Sequence, residues 1–313
     1  SILYNLFGRS VLMIESMSLL FGMGSVFIGW KIAKILYNEE IAIKVGWLIA
    51  LFPTLILYSV LVLREAYICF FLLLAIYGVV SWIKNNNFKS IFYIILGFVM
   101  ATLFHGAMAV GGIAFLLLMI SLFLKKFFQN LIEGKVEFKN ISFVFFALIF
   151  FLFYLGNYIY IPKLGYFWDI IFNQKIFSNM IASARGDASY PDWINIKSNI
   201  EFFYKTPIRV LYFLFSPFPW DVSKLIHLIG LFDGFLYLIL TYCIYRNRKV
   251  ILRNPALLYI LVILIFYLVA FSLGVGNFGT GIRHRAKFVI MLILLAVPLI
   301  PKITSLVKRL KLK

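Results

Sequence analysis

Long apolar stretches separated by short basic ones set the pattern of this chain. Val11–Leu36 is the first run long enough to cross a bilayer, which takes about 20 apolar residues in a helix. Gly46–Trp82 is nearly unbroken and too long for one such helix at about 1.5 Å per residue, so it predicts a hairpin of two spans. Its turn falls near Tyr58–Glu65, where Ser59, Arg64 and Glu65 are the strongly polar groups. Ser90–Leu124 predicts a second hairpin, with its polar tip at His105-Gly106. Ile141–Ile161 predicts a further span, and Pro162–Thr206, the longest polar segment, reads as a loop. Pro207–Trp220 is apolar but short and is broken by Pro217 and Pro219; it reads as a re-entrant or interfacial segment. Leu225–Tyr245, Pro255–Val275 and Phe288–Ile303 bring the expected transmembrane helices to about nine.

Because the runs are continuous rather than alternating, a transmembrane barrel is excluded. The expected fold is all-α: a polytopic integral membrane protein forming a single helical domain over residues 1–313. Composition agrees, with 63% hydrophobic and only 13% charged residues, outside the range of soluble domains. The formal net charge of +18 raises the question of nucleic acid. The cations lie in short loops between spans, as membrane orientation dictates, so membrane lipids are the expected surroundings and nucleic acid is not an expected partner. Grouped alternately, eighteen lysines and arginines of the short loops and the tail fall on one side, and five (Arg9, Arg64, Arg283, Arg285, Lys287) fall on the other. The first side is then cytoplasmic, provided that Pro207–Trp220 does not cross. Cys69 and Cys243 lie inside apolar runs and read as small buried hydrophobes. The chain opens on Ser1 rather than on Met, and an N-terminal piece is expected to be missing from it.

The candidate chemistry gathers on the outer side. Gly276–Lys287 reads GNFGTGIRHRAK and crowds Arg283, His284, Arg285 and Lys287 onto the end of a span. Its glycines let backbone approach a ligand, and arginine forks suit phosphate oxygens. Arg64 and Glu65 read either as a snorkelling pair at a hairpin turn or as a phosphate ligand with its base or orienting acid. His105 is either a hydrogen-bonded interface residue or a base. Glu15 either pairs with Arg9 or Arg64 or is catalytic. Arg185 lies in a solvated turn or on a loop that closes over a substrate. No Walker A, HExxH or GxSxG pattern is present, so neither ATP hydrolysis nor zinc chemistry is expected.

Three stretches carry a family resemblance. FPTLILYSVLVLREAYICFFLLLAIYG (Phe52–Gly78), SPFPWDV (Ser216–Val222) and GNFGTGIRHR (Gly276–Arg285) together resemble Wzy-like O-antigen and capsular repeat-unit polymerases. More loosely, they resemble multispan GT-C-like glycosyltransferases that use lipid-linked sugars. The resemblance implies an enzyme of the bacterial cytoplasmic membrane with an outward-facing site. It would transfer oligosaccharide from undecaprenyl diphosphate to a sugar hydroxyl of another lipid-linked unit, with no cofactor, beside a chain-length regulator and a flippase. Diphosphate binding would fall to Arg64, Arg283, Arg285 and Arg185, and the catalytic base to one of Glu65, His105, His284 and Glu15. An acidic pair found in the first outer loop of multispan glycosyltransferases has no counterpart here. The rival readings are a flippase for the same lipid-linked material and a non-catalytic subunit of a polysaccharide assembly complex.

Overall fold

The computed structural model describes residues 8, 10–61, 63–85, 87, 89–133, 160–161, 165–166, 188–196 and 198–300. Within them the chain is almost entirely helical: α1 (Val11–Leu36), α2 (Glu39–Ala50), α3 (Pro53–Val60), α4 (Glu65–Asn85), α5 (Lys89–Phe104), α6 (Ala109–Ile132), α7 (Asn199–Phe215), α8 (Leu225–Arg253), α9 (Pro255–Gly274), α10 (Phe278–Arg285) and α11 (Val289–Ala296). Extended pairing among the described residues is confined to a two-residue ladder, Tyr160–Ile161 with Gly165–Tyr166, and a bridge between Ser189 and Asn277. Five helices (α1, α4, α6 with the turn before it, α8 and α9) are long and apolar enough to cross a membrane. The pair α2–α3, bent by 59°, makes a sixth if it is one span. This fits a multi-pass membrane protein. The expected count of nine is not reached among the described residues: α5 is only 16 residues long, and Ile141–Ile161 lies outside them except for its last two residues.

Helix boundaries follow local chemistry. Asn38 caps α2, its side-chain oxygen accepting the Ile41 N–H at 2.9 Å, and Glu39 and Glu40 occupy the first turn, where the helix dipole favours acids. Pro53 opens α3 at a position where a missing N–H costs nothing, and it separates α3 from α2. Helix α7 begins at Asn199, capped by Ser198, and runs on through Pro207. The stretch 207–220 therefore divides between the second half of α7 and a 3-10 turn at Pro219–Asp221. Likewise α8 continues as helix across the basic stretch Arg246–Arg253.

The centre of the bundle is α11. Every residue from Phe288 to Val297 is buried, as suits a helix that is apolar all round. It packs against α1, α2, α8 and α9. A helix leaves its last carbonyls without intrahelical partners, and here other elements supply them. Tyr37 Oη donates to Leu294 O at 2.9 Å, Asn247 Nδ2 to Leu295 O at 3.0 Å, and Lys44 Nζ to Val297 O at 3.1 Å and also to Ile300 O.

Helix α4 packs most closely on α5 and α1. At the α4–α5 seam a Cβ added to Gly97 would stand 2.6 Å from Phe71 O, and one added to Gly78 would stand 2.7 Å from Ser90 O. Small residues let helix backbones meet where lipid offers no hydrophobic driving force between them. Gly97→Leu should therefore cost about 1–3 kcal/mol by overpacking and lower the melting temperature of the detergent-purified protein. Gly46→Leu should not, since nothing lies within 4 Å of a Cβ added there. Equal melting of the two variants would show that the seam is not tight.

Candidate functional site

The start of α4, the end of α5 and the stretch Asn277–Phe288 meet at one end of the bundle. That stretch is helical over most of its length rather than a glycine loop. Asn277 caps α10, its Oδ1 accepting the N–H groups of Gly279 at 2.8 Å and Thr280 at 3.2 Å. None of its glycines takes a positive φ; Gly281 instead answers a close approach, since a Cβ there would stand 2.9 Å from Tyr190 Oη. Tyr190 belongs to a piece of the long polar segment that docks on this turn. Its N–H donates to Gly276 O at 2.8 Å, and Phe278 N–H donates to Ala188 O at 2.9 Å. Beneath the turn, the fully buried Arg209 of α7 donates to Ile194 O and to Ser272, Leu273 and Val275 O, the last at 2.6 Å. A cation thus closes the carbonyl end of α9, where the dipole favours one.

With 3.6 residues per turn, Arg283 and Arg285 leave α10 on nearly opposite sides. Arg283 meets α4: its Nε and Nη2 donate to Glu65 Oε1 and Oε2 at 2.7 and 3.1 Å, a bidentate pair. The Glu65 side chain is 1% exposed and that of Arg283 37%. Arg285 turns inward and is fully buried. Its Nε and Nη2 donate to Asp233 Oδ2 at 2.9 and 2.6 Å, its Nη1 to Leu214 and Ser216 O at 2.9 and 2.6 Å, and its Nη2 also to Gly230 O at 3.3 Å. The guanidinium carbon lies 4.9 Å from the centre of the Tyr237 ring. All five N–H groups are engaged, so Arg285, expected to bind diphosphate, has none left for a ligand. It ties α7, α8 and α10 together. Sequence reasoning missed its partner Asp233, although an acid inside the apolar run of α8 was the available signal.

Lys287, four residues after Arg283, returns to the same side. It is buried, with Nζ 3.8 Å from Glu65 Oε1 and 2.5 Å from His284 Nδ1. The His284 ring lies 5.3 Å from the His105 ring and 5.3 Å from that of Phe271. Arg64 is exposed and donates from Nη1 to Phe104 O at 3.1 Å. Burial, then the charges of Lys287, His105, Arg283 and Arg64, hold the His284 imidazole well below its ordinary pKa.

Comparison with protein-family models, with curated proteins and with solved structures found no match.

Of the residues singled out in the sequence, Arg64, Glu65, His105, Arg283 and His284 come together, and Lys287 joins them. Glu65 pairs with Arg283 and not with its neighbour Arg64. Glu15 is half-buried on α1, one turn before Ser18, whose hydroxyl donates to Leu61 O at 3.3 Å. Among the described residues no ion pair joins Glu15 to Arg64. Arg185 lies outside the described residues.

Glu65 offsets one of the two arginines Arg64 and Arg283, which leaves a positive surplus, to which Lys287 adds in its charged form although burial pushes its pKa down to about 7. Such a surplus is costly near hydrocarbon unless an anion completes it. Glu65 also lines a cavity of about 340 Å3 between α1, the bent pair α2–α3 and α4, within the usual range of small-molecule sites. Its walls include Gly22 and Met23 of α1, Ala50 and Ile56 of the bent pair, and Cys69 and Ile290 behind. A cationic cluster and an apolar chamber thus share one carboxylate. The ligand class that matches both is an amphipathic anion, with a charged head and a hydrocarbon tail.

Proposed function

We propose that the chain is a membrane glycosyltransferase that polymerises or transfers undecaprenyl-diphosphate-linked oligosaccharide units on the outer face of the cytoplasmic membrane, in surface polysaccharide synthesis. The observation that carries this reading is the surplus of cations around buried Glu65, which lines an apolar cavity. The prenyl chain enters the cavity, and Arg283 and Arg64 hold the diphosphate. The acceptor hydroxyl oxygen bonds to the anomeric carbon of the donor sugar as the bond from that carbon to the diphosphate oxygen breaks. The electron pair leaves with undecaprenyl diphosphate, and the hydroxyl proton passes to His105. A diphosphate leaves readily, so the main task of the protein is to meet the developing charge with cations already in place. Glu65 serves by holding the Arg283 fork. Trp193 and Trp220 are exposed, the latter stacked on Phe218 at 4.9 Å, and offer flat faces to sugar rings.

The test is turnover by the purified protein in nanodiscs with synthetic undecaprenyl-diphosphate oligosaccharides and EDTA. A ladder of longer lipid-linked products is the expected result. Tight binding of the lipid diphosphate without product would move the reading to a flippase or a non-catalytic subunit.

A further inference from the structure

Lys287 was expected only to add charge to the turn, yet its geometry gives it a more specific task. An ammonium group has three donors and no acceptor. Burial pushes the Lys287 amine down to about 7, and two contacts favour its ammonium form: Glu65 Oε1 at 3.8 Å, and the face of the Phe271 ring, with Nζ 5.3 Å from its centre. The third neighbour is His284 Nδ1 at 2.5 Å. As an ammonium, Lys287 needs a lone pair on Nδ1, which puts the imidazole proton on Nε2. Protonating the ring would remove that lone pair and set an imidazolium among Lys287, Arg283 and Arg64.

We propose that Lys287 is a positioning residue that locks His284 as a neutral imidazole with its proton on Nε2, so that His284 donates a hydrogen bond to substrate and does not act as a base. A histidine held this way has no free lone pair with which to accept a hydroxyl proton. It does have an N–H to offer to a phosphate or leaving-group oxygen, and it adds no further charge to an already cationic site. The same lysine shares Glu65 with Arg283, so one ammonium sets both the tautomer of His284 and the balance around the carboxylate. The chemical use of this donor rests on the function proposed above; the tautomer itself does not.

The test is nitrogen-15 NMR of the full chain labelled at histidine, in nanodiscs. The chain has three histidines, and His284→Asn deletes the signal in question. In the wild type, His284 should show an unprotonated Nδ1 and a protonated Nε2, and it should remain so one pH unit below the ordinary histidine value of about 6.5. Lys287→Met should release the lock, giving a mixture of tautomers that titrates closer to that value. Lys287→Arg, which keeps a donor-only group, should preserve the wild-type pattern. A wild-type His284 that carries its proton on Nδ1, or that is an imidazolium at neutral pH, overturns the proposal. So does a Lys287→Met protein whose tautomer is unchanged. If Lys287→Met does not fold, the wild-type spectrum still decides. The pattern described, in a protein that shows no turnover, would uphold the hydrogen-bond assignment and remove the polymerase reading.

Discussion

Arg285→Ala should leave little or no folded protein. The variant strands Asp233 in the interior without its cation and takes donors from the carbonyls of Leu214, Ser216 and Gly230. Breaking a buried ion pair from one side costs about 3–5 kcal/mol, a large share of the roughly 5–15 kcal/mol that holds a typical domain together. Most of the penalty is the uncompensated acid, so removing it as well should help. Arg285→Met combined with Asp233→Leu replaces the pair by apolar groups, and it should recover much of the monodisperse yield and melting temperature in detergent. A single Arg285→Ala variant that melts like the wild type and loses only turnover would return Arg285 to the ligand-binding role expected of it.

Arg283→Ala should behave in the opposite way. Its side chain is over a third exposed, and Lys287 still faces Glu65 when the fork is gone, so the protein should insert and purify normally. If the N–H groups of Arg283 that Glu65 leaves free meet the charge that develops on the diphosphate, turnover should fall by about 10²–10³-fold, the loss seen when one such donor is removed. Arg283→Lys keeps the charge but not the two parallel N–H groups, and should recover only part of the rate. Near-normal polymer length and amount from Arg283→Ala would sink the assignment. The two arginines stand two residues apart, and the contrast between their variants separates holding the fold from holding the ligand.

Much of the site was legible because polar residues are conspicuous in apolar runs. Arg64 and Glu65 marked the turn between α3 and α4, and His105 the end of α5. The alternation of basic loops placed all of them with Arg283 and His284 at one end, where the structure brings them into contact. What a hydrophobic run does not encode is its neighbour. Phe288–Val297 is as apolar as any lipid-facing span, yet it is enclosed by protein, because a leucine against hydrocarbon and a leucine against another helix are nearly alike in free energy. The different tasks of Arg283 and Arg285 depend on helical phase. That phase was hidden while the glycines suggested a loop; the capping side chain of Asn277 was the overlooked sign of a helix. Asp233 and Arg209 were missed because each is explained only by its partner, 52 and 63 or more positions away for the contacts with Arg285 and the end of α9.

The burial of α11 also has a consequence for biogenesis. It follows every other described α-helix in the chain, and yet α1, α2, α8 and α9 all pack against it. A ribosome feeding this protein into a membrane releases the walls before the pillar. The seams of α4 with α1 and α5 can close before it is made, but the donors of Tyr37, Lys44 and Asn247 await carbonyls that have not yet been synthesised. Completion of the bundle then waits for residues 288–300, and nascent chains arrested before residue 288 should be cleared as incompletely assembled protein.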